Sequence, residues 1–258
     1  MNVYWLEQTE ADVPAENDWL SEKEALFLDA LRFAKRRADW RLGRWTAKSA
    51  LSVYLDVPAR PDILKKLEIR PAPSGAPEVF FGDLAASVTI SLSHRSGRAI
   101  CAVAMSDVEL GCDLEIVEPR SDAFVADYLA VEEQALVASA AVADRDRLLA
   151  LLWSAKESTL KALRVGLRVD TRCAIVTPSV ESFDLISWGP LQVRHTGSRN
   201  SNTDDGCRED RRPEDQVFHG WWQQASDVVR TVVAEPAPNL PIPLRVTGHC
   251  FHRASLLT

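Results

Sequence analysis

Gly111-Cys112-Asp113-Leu114-Glu115 is the stretch on which the reading of this chain turns. Leu110, Cys112, Leu114 and Ile116 alternate with Gly111, Asp113 and Glu115, a period of two that marks a strand with one buried face. Asp113 and Glu115 then point the same way, about 7 Å apart at their bases. Two carboxylates so placed repel unless a cation lies between them or both face open water. Further on, Trp153-Ser154-Ala155-Lys156-Glu157-Ser158-Thr159-Leu160-Lys161 adds a third carboxylate, Glu157, on an expected helix. Three hard oxygen ligands suit Mg²⁺, which keeps sites for water and phosphate oxygens.

That helix is expected over 148–163, with Leu149, Leu152, Trp153, Lys156, Leu160 and Leu163 on one face. Lys156 interrupts the apolar stripe, so its stem snorkels outward or its charge has a buried partner. Glu157 and Lys161, four apart, lie on the neighbouring face. Between the two stretches, 124–143 reads as helical and carries Glu132 and Glu133.

Upstream of Gly111, Val88 to Ser93 and Ala99 to Met105 read as strands, joined by a turn at His94-Arg95-Ser96-Gly97. With the strand bearing Asp113 they are expected to pair as a meander. Pro71-Ala72-Pro73-Ser74-Gly75-Ala76-Pro77 reads as a loop, within an irregular stretch over 58–77. Leu20 to Leu55 is mostly helical. Leu31, Ala38, Leu42 and Trp45 form an apolar stripe, with Arg37, Arg41, Arg44 and Lys48 as a basic stripe beside it. Such a stripe is either a solvated face or a phosphate site. The N-terminus enters a strand at Val3 to Leu6.

Downstream, strands are expected at Cys173 to Val176, Phe183 to Ile186 and Leu191 to Arg194, and again within 217–233 around Trp221-Trp222. Residues 195–216 are polar and aperiodic and read as a flexible insert. Each half of the chain offers a helix followed by antiparallel strands, which suggests an internal duplication. The expected fold class is α+β, with halves at 1–108 and 109–258.

The chain has 258 residues, is 46% hydrophobic and carries a net charge of -7, which argues against a general nucleic-acid binder. No apolar run is long enough to span a membrane, and the first residues lack the pattern of a signal peptide. The five cysteines include no CxxC pair and read as reduced thiols of a cytoplasmic protein. A zinc site on Cys250, His249 and His252 is disfavoured, because no second ligand pair accompanies it.

Taken together, the motifs resemble those of the 4′-phosphopantetheinyl transferases of the surfactin-synthetase-activating (Sfp) type. That family carries Gly-x-Asp-x-Glu and, later, Trp-x-x-Lys-Glu-x-x-x-Lys. Here these stand as Gly111 to Glu115 and Trp153 to Lys161. Ser91-Leu92-Ser93-His94 resembles the family's Ser/His segment, and Arg41-Leu42-Gly43-Arg44 its basic helix. The resemblance covers roughly residues 30 to 176, and four short motifs in order carry it. It implies a monomeric pseudo-dimer of two α+β halves with the active site between them. Coenzyme A and Mg²⁺ bind there, and the 4′-phosphopantetheine group moves to a serine of an apo acyl or peptidyl carrier protein, releasing 3′,5′-ADP. By position, Asp113, Glu115 and Glu157 would hold Mg²⁺. Lys156 and Lys161 would contact phosphates. Ser93, His94 and Arg44, with Arg37 or Arg41, would bind coenzyme A, and Glu132 would take the serine proton. The resemblance further implies service to polyketide, nonribosomal peptide or fatty acid machinery. Two departures stand out: Gly75-Ala76-Pro77 lacks the basic residue usual between its Gly and Pro, and Cys112 replaces an aliphatic residue.

Two other readings use the same residues. One is a Mg²⁺-dependent nucleotide hydrolase that needs no protein partner. The other is a non-catalytic module that binds coenzyme A or a carrier protein, against which the complete set Asp113, Glu115, Glu157 and Lys161 argues.

Overall fold

The computed structural model describes residues 1–178, 187–197 and 215–246. The strand expected at Phe183 to Ile186, most of the insert at 195–216, and Cys207, His249, Cys250 and His252 lie outside the described residues.

The first part of the chain runs β1 (Tyr4–Thr9), α1 (Glu22–Ala30), α2 (Ala34–Tyr54), α3 (Pro61–Leu64), β2 (Leu67–Pro71), β3 (Pro77–Phe81), β4 (Leu84–Ala85), β5 (Val88–Arg95) and β6 (Arg98–Met105). The second part runs β7 (Glu109–Ile116), α4 (Asp122–Tyr128), α5 (Val131–Ser139), α6 (Val142–Ala162), β8 (Ala174–Pro178), β9 (Gly189–His195), β10 (Gln216–Ala225), β11 (Val228–Glu235) and β12 (Ile242–Pro243). The fold is mixed α+β.

Two sheets carry the structure, ordered β12-β1-β6-β5 and β7-β11-β10-β9-β8, and β2-β3-β4 forms a small third. The expected meander does not form. β5 and β6 pair as a hairpin, but β7 pairs with β11, Asp113 opposite Thr231, and opens the second sheet. The period of two that marks β7 as a strand is silent about its partner. Pro71 to Pro77 is the turn of the β2–β3 hairpin, with the two prolines paired across it. The helical stretch expected over 124–143 is two helices, broken at Leu129 and Ala130. β12 returns to lie parallel beside β1, so the end of the second part completes the sheet of the first.

The two long helices sit in matching surroundings. In the first part, Ser21 caps α1 and the Glu24 carboxylate accepts from the Ser21 N–H. The same carboxylate accepts from the Ile69 N–H at 3.3 Å and pairs with Lys48 of α2 at 2.5 Å. In the second part, Glu133 accepts from the Ala130 N–H at 2.8 Å and from the Val176 N–H at 2.9 Å. It pairs with Lys156 of α6 at 2.7 Å. Both lysines are fully buried, and each spends its other donors on two backbone carbonyls: Trp19 and Leu64 for Lys48, Thr171 and Ala174 for Lys156. A tryptophan three residues before each lysine, Trp45 or Trp153, meets an aromatic edge to face, Trp19 or Tyr128. These locks tie each long helix to the preceding helix and to a strand, β2 of the small third sheet in the first part and β8 of the five-stranded sheet in the second.

Candidate active site

Glycine decides how closely α6 approaches β7. A side chain at Gly111 would meet the Ser158 carbonyl oxygen at 1.7 Å, so only glycine lets the helix lie on the strand. Gly111, Asp113 and Glu115 share the strand face that this helix covers. Cys112 and Leu114 are buried on the opposite face with Ile100 and Val232.

The close packing draws the charged groups together. Asp113 is 1% exposed. Its Oδ1 accepts from Lys161 Nζ at 2.6 Å and from Ser93 Oγ at 2.7 Å. Its Oδ2 is buried and makes no hydrogen bond among the described residues. Lys161 also donates to the Cys112 carbonyl at 3.1 Å and stands 3.7 Å from Glu157. Burial lowers the Lys161 pKa, but Asp113 and Glu157 outweigh it, and the net shift is upward. Glu115 pairs with Arg120 at 2.9 Å and more distantly with Arg95. Burial, then Asp113, holds the Glu115 carboxyl above its ordinary value. Glu157 is pushed up to about 7 by burial and by Asp113 and Glu115, against the pull of Lys161.

The three carboxylates therefore sense one another. The donor set is all oxygen, which suits Mg²⁺. One buried oxygen, Oδ2 of Asp113, is unused among the described residues. Among the described residues no group of three or more His, Cys, Asp or Glu is set at ligating distances, because Lys161 and Arg120 hold Asp113 and Glu115. In donor chemistry, the residues fit a divalent cation.

Beside this cluster opens a cleft of about 400 Å³ between the two parts of the molecule. Arg44, Arg70, His94, Lys161 and Arg164 line it, with Asp39 as the one acid. In a chain of net charge -7, five basic side chains around one cavity make an anion site. Lys161 belongs to both places, lining the cleft and touching Asp113. His94 ends β5 against α2, where a side chain at Gly43 would come 3.9 Å from its ring. Burial lowers the His94 pKa; Asp39 opposes that shift and Lys161 adds to it. Arg44 stacks on Trp40, 5.0 Å from the ring centroid, and stands 3.8 Å from Glu24. Its buried Nε makes no hydrogen bond among the described residues.

Four expected site residues stand elsewhere. Lys156 is locked to Glu133 in the core and reaches no cleft. Arg41 is bonded to Asn17 and to the Pro14 and Ala15 carbonyls, and Arg37 stands near Asp29. The basic stripe of α2 is continuous, but Arg37 to Lys48 spans about 16 Å at 1.5 Å per residue. It therefore passes from an outer loop, past the cleft at Arg44, into the core at Lys48. Glu132 is exposed at the start of α5, and no ion pair or hydrogen bond joins it to the carboxylates among the described residues. Ser93 does reach the site, but its hydroxyl serves Asp113. Sequence reading missed Arg70, Arg164 and Arg120. No periodic pattern marks them, because each sits at the end of an element or beyond it.

No curated protein matches the chain. Solved structures resemble it, among them two holo-(acyl-carrier-protein) synthases. One is a holo-(acyl-carrier-protein) synthase from Bacillus anthracis strain Ames in complex with CoA (3′,5′-ADP), 20% identical, covering 40% of this chain and 94% of that one, with a TM-score of 0.34. The other is Helicobacter pylori holo-[acyl-carrier-protein] synthase in complex with coenzyme A, 18% identical, covering 40% of this chain and 99% of that one, with a TM-score of 0.28. Residues 109–209 match the model of the 4′-phosphopantetheinyl transferase superfamily, a segment that holds Asp113, Glu115, Glu157 and Lys161.

Proposed function

We propose that the chain is a 4′-phosphopantetheinyl transferase of the Sfp type. It moves the phosphopantetheine group of coenzyme A to a serine hydroxyl of an apo acyl or peptidyl carrier protein. The observation that carries this reading is Lys161, which joins the three-carboxylate cluster to a basic cleft. The division into halves at 1–108 and 109–258, arranged as a pseudo-dimer, belongs to the same reading. The repeated glutamate–lysine lock supports it.

In the reaction the serine oxygen bonds to the β-phosphorus of the pyrophosphate, and the bond from that phosphorus to the bridging oxygen breaks. The electron pair leaves with 3′,5′-ADP. Asp113, Glu115 and Glu157 would hold Mg²⁺, which supplies charge neutralisation at the two phosphates. Lys161 stands where negative charge grows on the leaving phosphate and stabilises it. Arg44 and His94 bind the phosphates in the cleft. Asp113 keeps Lys161 charged and aimed, and Ser93 fixes Asp113. By the resemblance Glu132, exposed on α5 and off the carboxylate cluster, would take the serine proton through a water. Lys156 has no part in ligand binding.

Intact-mass measurement of an apo carrier protein, incubated with the chain, coenzyme A and Mg²⁺, tests the reading. A phosphopantetheine adduct is expected, with coenzyme A left whole when the carrier is omitted. Cleavage of coenzyme A without a carrier points instead to a hydrolase. Binding without any adduct across several carriers points to a non-catalytic module.

A further inference from the structure

α2 and α6 end in the same way, and what stands at the two ends differs. In α2 the Asp56 N–H returns to the Val53 carbonyl and the Val57 N–H to the Ser52 carbonyl. In α6 the Arg164 N–H returns to the Lys161 carbonyl and the Val165 N–H to the Leu160 carbonyl. Each closure puts one residue in the left-handed region: Asp56 at φ 54° and Arg164 at φ 57°. Glycine is the usual occupant of that position, and Asp tolerates it through local hydrogen bonding. A long, Cβ-bearing arginine has no such relief. Strain kept at one residue, when glycine would remove it, points to a use for the side chain.

The surroundings of Arg164 say what that use is. Its side chain lines the cleft, three residues beyond Lys161 and just past the end of α6. Arg44, Arg70 and Lys161 each stand within 4 Å of a carboxylate, at 3.8, 2.6 and 2.6 Å. Arg164 makes no ion pair among the described residues and is exposed to the cavity. The facing wall is the Ser74-Gly75-Ala76-Pro77 turn, which carries no charge. Arg168 donates to the Ser74 carbonyl at 2.8 Å, which holds that turn against the segment after α6. The cleft thus presents one uncommitted guanidinium beside a wall that offers no cation of its own.

We propose that Arg164 is a ligand-binding residue that grips a phosphate group in the cleft. It does so from the second part of the molecule, as a fork of donors matched to phosphate oxygens. The proposal rests on the transferase reading for the identity of the ligand, coenzyme A. That ligand offers two phosphate sources, the pyrophosphate and the 3′-phosphomonoester.

Calorimetric titration of coenzyme A and of 3′-dephospho-coenzyme A into wild type, Arg164→Gly and Arg164→Lys tests the proposal. Arg164→Gly relaxes the backbone, so its melting temperature is expected to stay or rise, and misfolding does not confuse the result. About tenfold weaker binding of coenzyme A is expected in the glycine variant, with partial recovery in the lysine variant. In steady-state assays the KM for coenzyme A rises while kcat changes little. A loss that disappears with the dephospho ligand assigns the contact to the 3′-phosphate; a loss that persists assigns it to the pyrophosphate. Wild-type affinity for both ligands in Arg164→Gly overturns the role of Arg164 and leaves the transferase reading standing. Failure of the wild-type protein to bind coenzyme A overturns both.

Discussion

Lys48 and Lys156 occupy equivalent places in two copies of one arrangement. Each is buried on a long helix, paired to the glutamate that caps the preceding helix, and bonded to two carbonyls. The residues that follow them diverge. After Lys48 come Ser49 and, four further on, Val53, both buried. At the same offsets after Lys156 come Glu157 and Lys161, each about a quarter exposed at 23% and 27%. A similar lock therefore precedes two outcomes: buried, uncharged positions after Lys48 in the first part, and a half-buried charged pair after Lys156 in the second. The lysine that sequence patterning singles out is the structural one, and the residues on which the transferase reading rests lie one and five positions beyond it.

The most severe way to break the comparison is to break a lock. Lys156→Ala leaves Glu133 buried with no cation and is expected to destabilise the fold by about 3–5 kcal/mol, and Lys48→Ala, which leaves Glu24 only the more distant Arg44, by a similar or smaller amount. Urea unfolding measures it. The Lys156→Ala loss should equal or exceed the Lys48→Ala loss, because Arg44 stays near Glu24. Retained stability in Lys156→Ala would contradict its structural role.

Losses in the charged copy alone should be losses of activity. Asp113→Asn and Lys161→Met are expected to lower the transfer rate by roughly 10²–10³-fold, the scale of a lost electrostatic contact in a reacting site. Carrier-protein mass shifts read this directly. The adjoining Ser93→Ala removes one hydroxyl bond to Asp113 and should cost about 1 kcal/mol of stability.

The raised Glu157 pKa gives a pH signature that its counterpart position, Ser49, lacks. Without metal, Glu157 titrates near 7 in the folded protein, against 4.5 ordinarily. Between those values the folded chain holds a proton that the unfolded chain has released. Stability from this group therefore falls as pH rises from about 4.5 to 7. Glu157→Gln should flatten that part of a metal-free melting profile, whereas Ser49→Ala should leave it unchanged. The smallest effect is expected at Arg37, which is half-exposed and stands off the cleft near Asp29. Arg37→Ala should alter stability by no more than about 0.5 kcal/mol and leave coenzyme A binding unchanged.

Much of this was legible in the residues, for physical reasons. Alternation reports burial, so Gly111 to Glu115 revealed a strand with two carboxylates on one face. Helical spacing brought Glu157 and Lys161 together, and the interruption at Lys156 left a buried partner as one of two readings. Pairing across sheets is not a local property, so β7 was expected beside β6 and instead joins β11. A charge stripe does not show its length in space, so Arg37 and Arg41 were grouped with Arg44. Adjacent acids look alike in sequence, yet Glu133 is the buried lock and Glu132 the exposed neighbour. Arg164 was invisible because a helix end shows its left-handed residue only when it is glycine or asparagine.

The most direct measurement sets Glu157→Gln beside Ser49→Ala in one assay: Mg²⁺-dependent transfer of phosphopantetheine to an apo carrier protein, with melting curves taken on the same samples. The account predicts that both variants stay folded, that Ser49→Ala transfers like the wild type, and that Glu157→Gln loses transfer by roughly 10²-fold or more. Wild-type transfer by folded Glu157→Gln would contradict it.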